Sequence, residues 1–172
     1  MLKKILILCV VVFAVQMVLV DSVFADQAYI KIGDAKSKKS ALALPIFNNL
    51  GAENTGVNLA AVGEIYNIAK KNLELSSYFS IVSKEAYIED LTKKSLKPLA
   101  DDPMGFDFGP LKAIGSEFVV RAGYIVINKD ITIEMYLYHV SESKLIIGKR
   151  YKAKLDQSAQ VGHILSNDVI EA

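Results

Sequence analysis

The sequence predicts an α+β domain in which a mixed β-sheet of about five strands carries two long helices on one face. Three observations predict it. Leu59, Val62, Tyr66, Ala69 and Leu73 recur at spacings of three and four, which places them on one side of a helix. Ile131, Ile133, Met135 and Leu137 alternate with Thr132, Glu134, Tyr136 and Tyr138, the period of a strand with one buried face. The order of elements, strand, helix, strand, loop, three strands in a meander and helix, is most simply satisfied by helices layered over one sheet face.

The chain opens with Lys3 and Lys4, an apolar run from Ile5 to Val20, and Val23-Phe24-Ala25 before Asp26. A charged start, an apolar centre and a small residue at the cut are the marks of a secretory signal peptide over residues 1–25, cleaved between Ala25 and Asp26. The apolar run approaches the length of a membrane span, but no basic stop-transfer flank follows it, and no membrane insertion is expected after cleavage. Export excludes cytosolic chemistry that depends on nucleotides.

Cleavage would leave 147 residues, 26–172, with eighteen basic and eighteen acidic side chains. That is the size of one domain, and zero net charge with both signs interspersed gives no broad footprint for nucleic acid or an anionic membrane. Cys9 is the one cysteine of the 172 residues. Its position within the signal leaves the remaining chain without disulfide, thiolate nucleophile or thiolate metal site. Stability must therefore come from an ordinary hydrophobic core, and a monomer is expected.

Residues 26–40 read as an amino-terminal arm. Tyr29-Ile30-Lys31-Ile32 is alternating and β-prone, which suits strand addition to a partner, and the polar stretch Gly33 to Ser40 suits a frayed terminus equally well. The folded domain spans 41–172. Ala41 to Phe47 is a continuous apolar run, a buried strand whose Pro45 belongs at the strand end or where its nitrogen faces away from a neighbour, and Asn48-Asn49-Leu50-Gly51 reads as a turn. A helix covers Gly56 to Leu75, with Ile65 and Ile68 widening its stripe, and Ser76-Ser77 breaks it. Tyr78 to Val82 is a strand and Lys84 to Leu91 a short helix.

Lys94 to Gly109 carries Pro, Gly and Asp without periodicity, a surface loop from which Phe106 and Phe108 tuck back onto the core. Asp101, Asp102 and Asp107 lack the terminal glutamate and oxygen set of a calcium loop and read as solvated acids. Phe108 to Ile114 forms a helical turn ending at Gly115. Phe118 to Tyr124 is a strand, Asn128-Lys129-Asp130 a hairpin connection, and Ile131 to Val140 the alternating strand. Ser141-Glu142-Ser143 turns the chain into a strand from Lys144 to Lys154, and a last helix begins near Ser158.

A search for chemistry finds little. His139 falls in line with Met135 and Leu137, a histidine satisfied by hydrogen bonding, and His163 sits in the last helix as a packing contact. Neither has a neighbour at ligand or triad spacing, and no phosphate loop, HExxH or GxSxG occurs. No catalytic residue, metal ligand or cofactor is assigned, and the chain is not expected to be an enzyme. Arg121, Tyr124, Tyr136 and Tyr138, with Arg150, could make an aromatic and basic surface suited to protein contact, or serve as cross-strand packing.

Six segments together resemble the amino-terminal domain of the TolB family of the Tol-Pal cell-envelope system. They are Ala41 to Asn49, Leu75 to Phe79, Ile114 to Val120, Leu137 to Val140, Leu145 to Tyr151 and Val161 to Asp168. The resemblance implies a sheet-and-helix module similar to an anticodon-binding domain, without enzymatic activity. It also implies that the arm, Tyr29, Ile30, Lys31, Ile32, Gly33 and Asp34, contacts the carboxy-terminal domain of TolA; Lys31 and the lysine-rich stretch after it depart from the family pattern. Family members continue into a six-bladed propeller that binds the lipoprotein Pal, whereas this sequence stops at Ala172, as a fragment or a stand-alone domain. The expected role is a periplasmic interaction module supporting outer-membrane integrity and constriction at division, with Pal or other envelope proteins as further partners. The second reading is a stand-alone regulator or assembly factor that docks on a cell-wall synthase or secretion pore through its folded face.

Overall fold

The computed structural model describes residues 38–51 and 56–172. The chain divides into Met1–Ala35, which lies outside the described residues, and Lys36–Ala172. The signal peptide, its cleavage between Ala25 and Asp26, and the arm residues Tyr29 to Asp34 therefore also lie outside them.

The expected α+β architecture is present. Strands β1 (Ser40–Ala43), β3 (Phe79–Ile81), β4 (Phe118–Ile127), β5 (Asp130–His139) and β6 (Lys144–Lys154) form one sheet in the order β3-β1-β4-β5-β6. The two-residue strand β2 (Asn48–Asn49) pairs with β4 beyond β1. β3, β1 and β4 run parallel, and β4, β5 and β6 form an antiparallel meander. Between Leu137 and Tyr138 the β5–β6 register slips, with Ile146 as the extra residue.

Helix α1 (Gly56–Leu75) and helix α3 (Ser158–Ile170) cover one face of the sheet, and the short helix α2 (Phe108–Ala113) lies in the segment before β4. Val62, Ile65, Ala69 and Leu73 of α1 meet Val161, Leu165 and Val169 of α3 over Val120, Ala122, Ile133, Met135 and Leu137. The stripe is shifted from the expected one: Leu59 is half exposed, while Asn58 and Ala61 are buried. α1 ends where Ser76 donates to the Asn72 carbonyl and Ser77 takes a positive φ of 67°, a conformation that cannot continue a right-handed helix. Asp107 caps α2 by accepting from the Gly109 amide, and Gly115, at φ 73°, closes it.

Three local expectations are corrected. The apolar run Ala41–Phe47 is not one strand. Pro45 cannot donate to a ladder, so pairing stops at Ala43 and resumes at Asn48–Asn49, within the expected turn. Lys84 to Leu91 is not a continuous helix but two 3-10 turns, Lys84–Ala86 and Leu91–Lys93, because its few apolar residues lack a buried stripe to hold a longer helix. β4 runs to Ile127, three residues past the expected end, to complete the hairpin with β5.

The second sheet face is the larger departure. Segment 83–116 crosses part of it and makes a second core from Ala43, Leu91, Phe106, Phe108, Leu111, Val119, Tyr138 and Val140. Phe106 and Phe108 do tuck inward, as expected, packing edge-on with Tyr138.

Candidate interaction surfaces

The residues proposed as an aromatic and basic surface do not share one. Tyr124 points into the helix-side core and is 4% exposed; Arg121 and Tyr138 lie under the crossing segment, 0% and 3% exposed. Tyr136 is the half-buried member, its ring laid over Gly148, where a β-carbon would come within 3.0 Å of it. Strand alternation placed Tyr136 and Tyr138 on one face, but the long segment that covers that face has no periodicity from which its path could be read.

Arg121 organises that segment instead. Its Nη2 donates to the carbonyls of Leu91 at 2.7 Å, Lys94 at 3.1 Å and Ser95 at 3.2 Å. Asn48 Nδ2 donates to the Lys94 carbonyl at 2.6 Å, and the Tyr138 hydroxyl donates to that of Leu96 at 3.2 Å. The Leu91 carbonyl also accepts from the Lys94 amide within its 3-10 turn, but the irregular chain after it offers few amides of its own, and three side chains from the sheet supply donors. The guanidinium also sits 5.5 Å from the Phe106 ring centre, a favourable cation–π position. Burial pulls its pKa down to about 10, partly opposed by Tyr138, Glu89 and Tyr87, so the group stays charged at neutral pH.

The other singled-out side chains are locally engaged. His139 Nδ1 accepts from the Glu142 amide, and its ring meets Phe118 edge-on. His163 Nδ1 lies 2.9 Å from Asn72 Nδ2, which also donates to Ser166 Oγ, joining α1 to α3. Asp102 accepts from the Met104 amide. Among the described residues no group of three or more His, Cys, Asp or Glu is placed to hold a metal ion, and no helix is long and apolar enough to cross a membrane.

Two open features were not singled out from the sequence. The first is a groove of about 800 Å³ lined by Leu44 to Ile46, by Tyr66, Lys70 and Glu74 of α1, and by residues 81–92. It lies beyond the carboxyl ends of the parallel strands β1 and β3, the usual place for a binding crevice in such sheets. The Tyr66 hydroxyl donates to the Leu44 carbonyl and the Leu44 amide donates to the Tyr87 hydroxyl, each at 3.0 Å, so both tyrosines hold the strand end that Pro45 leaves unpaired. Burial raises the pKa of both, that of Tyr87 to about 12. The acids here have partners: Glu74 pairs with Lys70, Glu85 with Ser83, Glu89 with Lys94 and Asp90 with Lys93. Ile46 and Ile88 are exposed along it among these charged side chains, so the groove is of mixed character.

The second feature is the outer edge of β6, a strand of eleven residues with Lys144, Lys149, Arg150, Lys152 and Lys154 and no acid. Lys149 pairs with Asp168, Arg150 with Glu134 and Lys154 with Asp130.

No family model matches the chain. The Tol-Pal system protein TolB of Desulfosudis oleivorans is 28% identical over 151 residues, 87% of this chain and 33% of the relative. That of Geobacter metallireducens is 34% identical over 70 residues, 41% of this chain and 16% of the relative. The crystal structure of TolB from Acinetobacter baumannii aligns with a TM-score of 0.58 at 17% identity, covering 78% of this chain and 28% of that one; it is a likeness of fold. The chain spans about a third of the length of the curated relatives it matches. Over most of its length, the chain is homologous to the Tol-Pal system TolB proteins.

Proposed function

We propose that this protein is a non-catalytic, periplasmic protein-interaction module of the Tol-Pal type, equivalent to the amino-terminal domain of TolB. The observation that carries this reading is homology over 87% of the chain to Tol-Pal proteins, joined to a fold whose singled-out polar groups are spent on holding the structure. In this reading residues 1–25 direct export, cleavage after Ala25 frees the arm, and Tyr29 to Asp34 engage the carboxy-terminal domain of a TolA-type protein. The alternation of Tyr29-Ile30-Lys31-Ile32 supports addition as a strand.

Titration calorimetry against a TolA carboxy-terminal domain tests it. Removal of residues 26–37, which spares β1, is expected to abolish binding while the circular dichroism spectrum of the domain is retained. Unchanged affinity in the truncated protein would sink the role of the arm.

A further inference from the structure

We propose that the outer edge of β6 is a second docking site, independent of the arm, that takes an extended acidic segment of a partner protein as an additional strand. β6 is the last strand of the sheet, so one side of its backbone presents amide and carbonyl groups without a strand partner, the template that strand addition uses. From Ile147 to Lys154 it pairs with β5 in unbroken register, past the irregularity at Ile146. That length is enough for an added strand of ordinary size.

The charges decide the occupant. All five charged side chains of the strand are basic, and Arg150, Lys152 and Lys154 alternate onto the face away from the helices, opposite Glu134, Thr132 and Asp130 of β5. Lys144 and Lys152 are in no ion pair among the described residues, and both are exposed. A second copy of β6 added antiparallel would bring these cations against cations, and like charges directly opposed are destabilising. Lysines on an edge are a common guard against self-pairing; here the same charges would attract a strand with acids at alternate positions. The groove beside α1 lies at the opposite, β3 side of the sheet and does not compete.

The test uses two short synthetic peptides, one alternating glutamate with threonine and one alternating lysine with threonine, titrated into the isotope-labelled protein. The acidic peptide is expected to shift and protect amides within Ile147–Lys154, with binding that weakens as salt is raised. The substitution Lys152→Glu, within that stretch, breaks no ion pair, so the fold is expected to persist by circular dichroism. It should weaken the acidic peptide by about tenfold and gain affinity for the lysine peptide. Equal binding of both peptides, no response to the acidic one, shifts confined to the groove, or a concentration-dependent dimer through β6 would each overturn the proposal.

Discussion

Replacing Gly162 with alanine should destabilise the protein, although the same change at Gly63 should stabilise it. Both glycines sit inside long helices, where alanine is favoured over glycine by about 1 kcal/mol. A β-carbon on Gly63 meets nothing within 4 Å, so the full gain is expected there. On Gly162 it would lie 2.9 Å from the Ile65 carbonyl oxygen and from Ile68 Cβ, and 3.0 Å from Ile68 Cγ2. The carbonyl belongs to α1 and cannot rotate away, so the helices must separate and loosen Leu165 and Val169 from the sheet. Forcing a methyl into such a contact costs about 1–3 kcal/mol. The net loss at Gly162 is then about 1 kcal/mol after the helix gain, a gap of about 2 kcal/mol between the variants, or several degrees in Tm. Urea denaturation monitored by circular dichroism measures both, with an unchanged slope confirming that the midpoint shift is a stability change. A Gly162→Ala protein as stable as Gly63→Ala would refute the close approach of α1 and α3.

Arg121→Ala should cost about 2–4 kcal/mol, since it removes a charged donor from three carbonyls and leaves a cavity under the crossing segment. Hydrogen exchange should quicken first at Leu99, Gly105 and Phe106, whose amides bond within that segment; uniform exchange would count against its local role. Stability should also fall as pH rises above 10. Tyr87, Tyr138 and Tyr151 have pKa values raised by burial, in Tyr151 also by its bond to Asp168, so the native state keeps protons that the unfolded chain loses near the ordinary tyrosine pKa of about 10. Arg121, with its pKa lowered to about 10, acts in the opposite sense, but one group cannot offset three. Tyrosinate absorbance should therefore rise partly near the ordinary pKa and the remainder only on unfolding; a single early transition would contradict the burial.

Elements whose apolar residues repeat were legible from the chain. The bounds of α1 and the alternation of β5 follow from period alone, and the breaks at Ser76-Ser77 and Gly115 follow from backbone conformations those positions can adopt. The apolar run Ala41–Phe47 reads as one strand, but Pro45 stops pairing at Ala43, and the resumption at Asn48–Asn49 is not legible, because a two-residue strand has no pattern of its own and exists only through β4. The candidate surface was the least legible part. Arg121 and Tyr138 have the composition of a binding patch, and nothing in their own strands tells that residues 91–96 turn their carbonyls toward them.

Local periodicity and the spacing of turn residues are properties of the chain by itself, and they determined the fold class and the layering of two helices on a sheet; the similarity to TolB proteins is likewise carried by the chain. Tertiary structure alone decided which side chains are free to meet a partner. Burial depends on what the aperiodic segment 83–116 packs against, and the unpaired backbone carbonyls of that segment are costly unless donors reach them. That requirement drew Asn48, Arg121 and Tyr138 inward, while the edge of β6 and the groove beside α1 stay open among the described residues.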